Sequence, residues 1–394
     1  STYHIKYISN SGENLQPAID SILKVIDQSM STYKPDSDIS KINAGDTSVV
    51  VDKHFRKVFE ASQQIWQESE GLFDPTVGVL VNAWGFGKQK IDDKDLPTDE
   101  KIAELKKYVG FNKVQLTDNN HIKKEYPEIL FDFNAIAQGY TSDVVADFLN
   151  SKGIKNYIVE IAGEMFLKGK NTIENKAWTI GVENPIKPLD EKELITTIQF
   201  ENQGLATSGN YRKVWTDSNG RKYVHSINPI TGRATQSDVL SATVVAPSTM
   251  YADGYATMFM VMGMEKSKAF LAKHPDLAVL LVYSNDKNEE LTFKTNPFKK
   301  LEEKKDETKD PVVDNKKERI VNVNGASYRY VNGQWIDSNG TVVSDHNLLG
   351  QLNQETEIKT TDNTVGVDNV NGVDSTTLND NTAVKTDANV DNKT

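Results

Sequence analysis

The sequence predicts an α+β fold: one large unit of mixed sheets and helices, then a small β-meander and a disordered tail. Three observations lead there. Strand-like and helix-like runs follow one another irregularly over residues 1–298, without the βαβα repeat of a doubly wound sheet. Hydrophobic residues, 37% of the chain, concentrate before about residue 298. Beyond Pro297 the composition turns to mixed charge and then to Asn, Asp, Thr and Val.

Each element has its own signal. "STYHIKYIS" alternates apolar and polar residues, so a strand is expected over Tyr3–Ile8. Similar short runs mark strands at Tyr157–Ile161, Thr179–Val182, Thr196–Phe200, Ala242–Ala246 and Leu277–Tyr283. Apolar residues spaced three and four apart mark helices at Leu15–Gln28, Lys53–Ser69, Asp99–Val109, Gly139–Ser151 and Tyr251–Met262. One unit is therefore expected over 1–298. The dense run "KKLEEKKDETKDPVVDNKKE" then reads as a solvated linker, 299–318. Three Asn-Gly pairs, at 324–325, 332–333 and 339–340, divide short β-rich pieces, as in a meander over 319–346. Residues 347–394 have too few apolar groups to offset chain entropy and are expected to be disordered.

Composition also excludes. A net charge of −11 argues against general nucleic-acid binding and means that a polyanionic ligand needs local help from a metal or backbone N–H groups. With no cysteine, the chain has no disulfide, thiolate metal site or Cys nucleophile. No apolar run reaches the roughly 18 residues of a membrane span.

Five stretches carry chemistry. In "MYADGYATMFMVMG", Asp253 and Thr257 sit four residues apart, on one face of an otherwise apolar helix. Asp near a helix start is ordinarily a cap, and Thr one turn later can bond back to a carbonyl. The alternative is that both oxygens face a hard cation such as Mg²⁺. "MSTYKPDSDISKIN" is a polar loop that presents Tyr33. "GLFDPTVGVLVNAWGFG" has glycines that suit close approach to a planar ligand, or a tight core turn. "FDFNAIAQGYTSDVVADFL" reads as a strand–turn–helix whose free N–H groups could face a phosphate; it lacks the P-loop and dinucleotide fingerprints. "TSGNYRK" and "YVHSINPITGR" place His225 in a strand ending at Asn228-Pro229, though a lone histidine is ordinarily structural.

Taken in order, "STYHIKY", "MSTYKPDSDISKIN", "FDPTVGVLVNAWGFG", "DFNAIAQGY", "VEIAGE", "TSGNYRK", "HSINPITGR" and "ADGYAT" resemble the FAD:protein FMN transferase (ApbE) family, over about residues 1–295. The resemblance implies an ApbE-like catalytic domain that transfers the FMN half of FAD, as substrate, onto a Thr or Ser hydroxyl of an acceptor protein, releasing AMP. It implies Mg²⁺ held by the Ala135 carbonyl, the Asp253 carboxylate and the Thr257 hydroxyl. It places FAD against Tyr33, Thr76, Val77, Gly78, Asp132, Gln138 and Ile227, with His225 and Asp253 as catalytic residues. Three positions depart from the family pattern: Gln138 stands where many relatives have Lys, Asn228 replaces a common Asp, and Ala162-Gly163-Glu164 replaces Gly-Gly-Asp. An FAD pyrophosphatase releasing FMN and AMP, or a non-catalytic flavin-binding surface protein, would use overlapping features. "GVDSTTLND" in the tail lacks the Gly-Ala pair of a flavinylation site, so self-modification is not expected. The location expected is extracytoplasmic, with membrane association only through a lipid anchor upstream of residue 1.

Overall fold

The computed structural model describes residues 2–9, 11–87, 91, 95–172, 175–185, 193–209, 214–216, 222–234, 237–302, 319–323, 326–331, 334–338, 341–343 and 348. The expected linker, apart from residues 299–302, and nearly all of the expected tail lie outside them, as do the three Asn-Gly pairs. The chain divides into two compact units, one running to Glu303 and the other beginning at Lys304.

The frame of the first unit is one seven-stranded sheet: β1 Tyr3–Tyr7, β2 Tyr157–Ile161, β3 Glu164–Lys168, β4 Gln203–Gly209, β5 Val239–Ala246, β6 Ala278–Ser284 and β7 Glu290–Lys294. The strands lie side by side in chain order and every neighbouring pair is antiparallel. The α+β expectation is met. Strands β1, β2, β5 and β6 coincide closely with expected runs, whereas β3 and β7 had no clear alternating signal.

Helices enter as insertions in this meander. Between β1 and β2 come α1 Gln16–Met30, α2 Asp38–Asn43, α3 Lys53–Glu68, α4 Gly78–Ala83, α5 Asp99–Leu105 and α6 Ala137–Ser151. Their starts are chemically marked. Ser37, Asp52 and Thr98 each accept a backbone N–H from the first turn of α2, α3 and α5, a contribution of about 1 kcal/mol each. Between β5 and β6 runs α7, Thr249–Lys273. It continues past the expected end at Met262, but breaks its helical path at Gly263 (φ 74°). Asp238 there accepts the Met264 N–H at 2.8 Å, so the break starts a second, capped segment.

The core follows from strand alternation. One face of β4–β6 buries Ala206, Val244, Val279 and Leu281 against α3, α6 and α7, with Phe55, Ile65 and Phe259 fully enclosed. The opposite face packs Leu205, Val245 and Leu280 against the hairpin Thr179–Glu183/Leu194–Gln199 and Phe298. Each such side chain contributes roughly 1.5–3 kcal/mol when fully buried. Phe298 belongs to α8, Asn296–Leu301, so the boundary expected at 298 falls inside this helix. Just beyond it, Glu302 pairs with Lys294 and accepts from Thr196.

The second unit contains an antiparallel sheet of Arg319–Val323, Ala326–Val331 and Gln334–Ile336, with Trp335 buried. Among the described residues, no helix is long and apolar enough to cross a membrane.

Two glycines allow α7 to begin where it does. A Cβ on Gly204 would collide with the backbone N and Cα of Thr249, and one on Gly139 would meet the Thr249 carbonyl and lie 2.7 Å from Asp253 Cβ. Backbone cannot move aside as a flexible side chain can. Gly204→Ala is therefore expected to destabilise by about 1–3 kcal/mol, read as a lower urea midpoint. An unchanged midpoint would mean that this approach is not tight.

Candidate active site

Helices α6 and α7 start side by side, and each closes the start of the other. Asp143, in the second turn of α6, accepts from the Thr249 N–H (2.8 Å), the Met250 N–H (2.9 Å) and the Ser248 hydroxyl (2.6 Å) at the start of α7. In return, Asp253 of α7 accepts the Gly139 N–H in the first turn of α6 at 3.0 Å. Free N–H groups at a helix start carry partial positive charge, so a carboxylate belongs at each. Asp253 is thus a cap, though not for its own helix. Of the first-turn N–H groups expected to be free in α6, Gly139 gives its N–H to Asp253 and Ala137 gives its to the Phe133 carbonyl.

Beside this junction opens a cleft of about 680 Å³. It is lined by Asp253 and Thr257, one turn apart on α7, by Asp132 and Ala135 on the approach to α6, and by Gln138 in its first turn. Ser208, at the end of β4, reaches in, its hydroxyl 3.2 Å from that of Thr257. Burial pushes the Asp253 carboxyl up to about 7; the Gly139 N–H opposes this and the Asp143 charge adds to it. Ala135, Asp253 and Thr257 all line the cleft, and each carries a hard oxygen. Among the described residues, no group of three or more His, Asp or Glu side chains is placed to hold a metal.

The approach to Ala135 is fixed by neighbours far away in sequence. The Asn43 carboxamide bonds both the Phe131 N–H and the Phe131 carbonyl, each at 2.8 Å, as a strand partner would. The Asp132 N–H donates to the Pro75 carbonyl at 2.8 Å, and the Asp132 carboxylate accepts the Asn134 N–H. His225 stands at the bend after the strand Lys222–Val224, slightly beyond the strand expected to contain it. Its ring meets Phe86 edge-on at 6.5 Å. Trp84 anchors that loop by donating to the Gly232 carbonyl at 2.8 Å and packing on Tyr223.

Of the residues singled out from sequence, Tyr33, Val77, Asp132, Ala135, Gln138, His225, Ile227, Asp253 and Thr257 all line the cleft. Tyr33 is 63% exposed, an aromatic ring on the rim. Thr76 and Gly78 are not brought to it. Thr76 is fully buried; its hydroxyl donates to Asp74 (2.6 Å) and accepts the Gly110 N–H (2.7 Å). Gly78 packs on Leu130, whose carbonyl oxygen would lie 2.6 Å from an added Cβ. Residues 210–213 of "TSGNYRK" lie outside the described residues. Sequence reasoning did not single out Ser208, Glu160 or Asp74 as site residues. For Ser208 the available signal was a hydroxyl at the end of a strand leading into a Gly turn.

The cleft has a marked charge. Asp74, Asp132, Glu160, Glu164, Glu183 and Asp253 line it, and among its described lining residues there is no Lys or Arg.

Comparison with known proteins agrees with the fold and gives the family. The ApbE family matches residues 1–281, and the chain belongs to that family. It is 38% identical over 316 residues to the FAD:protein FMN transferase of Haemophilus influenzae, covering 77% of this chain and 90% of that protein. It is 38% identical over 291 residues to the Vibrio cholerae enzyme of the same name, covering 72% and 85%. Among solved structures, the flavin transferase ApbE from Vibrio cholerae superposes with a TM-score of 0.67 at 36% identity, over 76% of this chain and 95% of that one.

The Ala162-Gly163 pair, a departure from the family pattern, forms the two-residue turn between β2 and β3 on the cleft wall, with Ala162 at φ 55° and Gly163 at φ 112°. An alanine in the left-handed region is strained by roughly 1–2 kcal/mol, partly offset by glycine's greater entropy loss. Ala162→Gly is expected to stabilise by up to about 1 kcal/mol, seen as a raised urea midpoint. A lowered midpoint would show that the turn carries no such strain.

Proposed function

We propose that the chain catalyses Mg²⁺-dependent transfer of the FMN moiety of FAD onto a Thr or Ser hydroxyl of an acceptor protein, with release of AMP. The enzyme class, FAD:protein FMN transferase, follows from family membership and from the relatives that share it. The observation that supports the finer reading is that Ala135, Asp253 and Thr257 all line one acidic cleft. A carboxylate, a hydroxyl and a main-chain carbonyl fit Mg²⁺, which prefers few protein oxygens and completes its shell with water and phosphate. Bound there, Mg²⁺ would neutralise the diphosphate charge that the acidic lining repels.

The chain's own residues do the rest. The exposed Tyr33 ring and the apolar walls Val77 and Ile227 offer faces for a planar ligand. The acceptor hydroxyl oxygen forms a bond to phosphorus of the FMN half, while that phosphorus loses its bond to the bridging oxygen. The bridging oxygen leaves with AMP, and the hydroxyl proton passes to His225. Phe86 against the His225 ring and the Trp84 anchor hold the imidazole at the cleft. Such substitution depends chiefly on positioning, which this buried and cross-bonded scaffold supplies.

The test is intact-mass analysis of an acceptor domain incubated with the chain, FAD and Mg²⁺. A gain of one FMN is expected, lost when EDTA is added; release of free FMN with no gain would favour the hydrolase. On the same assay, His225→Ala is expected to keep FAD affinity but lose about 10²–10⁴-fold in the single-turnover rate at saturating FAD. A weakened affinity with an unchanged saturated rate would make His225 a scaffold residue instead.

A further inference from the structure

Asp143 does not line the cleft, and the transfer reaction gives it no role. Its geometry is nonetheless the most specific in the region, because one carboxylate takes three donors of the next helix start. We propose that Asp143 is a positioning residue for the cation donors, fixing the start of α7 against α6 so that Asp253 and Thr257 stand opposite the Ala135 carbonyl. The proposal rests on the reading of those three residues as Mg²⁺ donors.

The argument is one of rigid bodies. Ala135 lies immediately before Ile136, the N-cap of α6, whereas Asp253 and Thr257 are carried by the second and third turns of α7. The distance from one donor to the other two is therefore set by how the two helix starts meet. Three features set that meeting. Gly139 lets the Thr249 backbone come close, Asp253 holds the Gly139 N–H, and Asp143 holds Ser248, Thr249 and Met250. Beyond these, the Thr249 hydroxyl bonds the Met165 carbonyl and the helix packs on the sheet, but among the described residues only Asp253 and Asp143 bond α6 to α7 directly through side chains. Asp143 fixes the start of α7, because its two oxygens grip successive N–H groups and the preceding hydroxyl. Loss of such an outer partner typically weakens a metal site by about 10–100-fold without removing a ligand.

The experiment uses Mn²⁺ alone as the probe, its free concentration read by electron paramagnetic resonance, together with melting curves in EDTA. Asp143→Asn keeps an oxygen acceptor but loses the charge. It is expected to stay folded at 25 °C and to bind Mn²⁺ about tenfold more weakly than wild type. Ser248→Ala removes only the 2.6 Å hydroxyl bond and should weaken binding in the same direction by less. Asp253→Ala is the control that removes a donor. If Asp253→Ala loses Mn²⁺ while Asp143→Asn binds like wild type and only melts lower, Asp143 is merely structural and the proposal is overturned. Should Asp143→Asn fail to fold, unchanged Mn²⁺ affinity in Ser248→Ala overturns it equally. No Mn²⁺ uptake by wild type, or the same uptake by Asp253→Ala, instead overturns the reading of the metal donors, and this inference falls with it.

Discussion

The hydrogen bond from the Gly139 N–H to the Asp253 carboxylate constrains the site more than any other contact. It joins helices whose bonded residues are 114 positions apart, and it exists only because Gly139 lacks a side chain. The carboxylate is buried, so it needs a compensating partner; a buried charge left unpaired is costly. One N–H is an incomplete answer for a carboxylate with two oxygens. A cation on the cleft side would complete it, which makes the cap and the donor two halves of one arrangement.

The same constraint orders the surroundings. Gly204 admits the start of α7 against the sheet, Asp143 fixes that start, and Asn43 holds the extended segment at Phe131 that leads to Ala135. The acidic lining then acquires a physical sense. Without a cation it repels a diphosphate; with one, the remaining carboxylates and polar groups can discriminate among anionic ligands by position. His225 comes from a separate hairpin, tied down by Trp84 and Tyr223, so the proposed proton acceptor and the proposed cation donors sit on different elements.

Much of this was legible in the residues. The spacing of Asp253 and Thr257 placed both on one helix face, and the alternating runs of β1, β2 and β6 lie close to their observed limits. β3 was harder: "EMFLK" has no clean alternation, because its middle residues are half buried on both faces. β4 carries two glycines that weaken any strand signal, and one of them is present for α7 rather than for the strand. Thr76 and Gly78 were expected as ligand contacts through the family resemblance, and they are not among the residues that line the cleft. Their reasons are internal, a buried Asp74 to satisfy and a Leu130 backbone to approach. Asp143 was illegible for another reason. In "TSDVVAD" it is one polar position of an amphipathic helix, and its partners begin 105 residues later. Only the packing of α6 on α7 gives it meaning.

The central claim is that Asp253 closes α6 and receives the cation with one carboxylate. Thermal melting of wild type and Asp253→Asn, each with FAD in EDTA and with FAD in saturating Mg²⁺, tests it most directly. Asparagine retains an oxygen for the Gly139 N–H but not the charge. A ligand at 100 times its Kd stabilises the folded state by about 2.7 kcal/mol. The wild-type melting temperature should therefore rise clearly with Mg²⁺, and that of Asp253→Asn should not. An equal rise in both proteins would contradict the account.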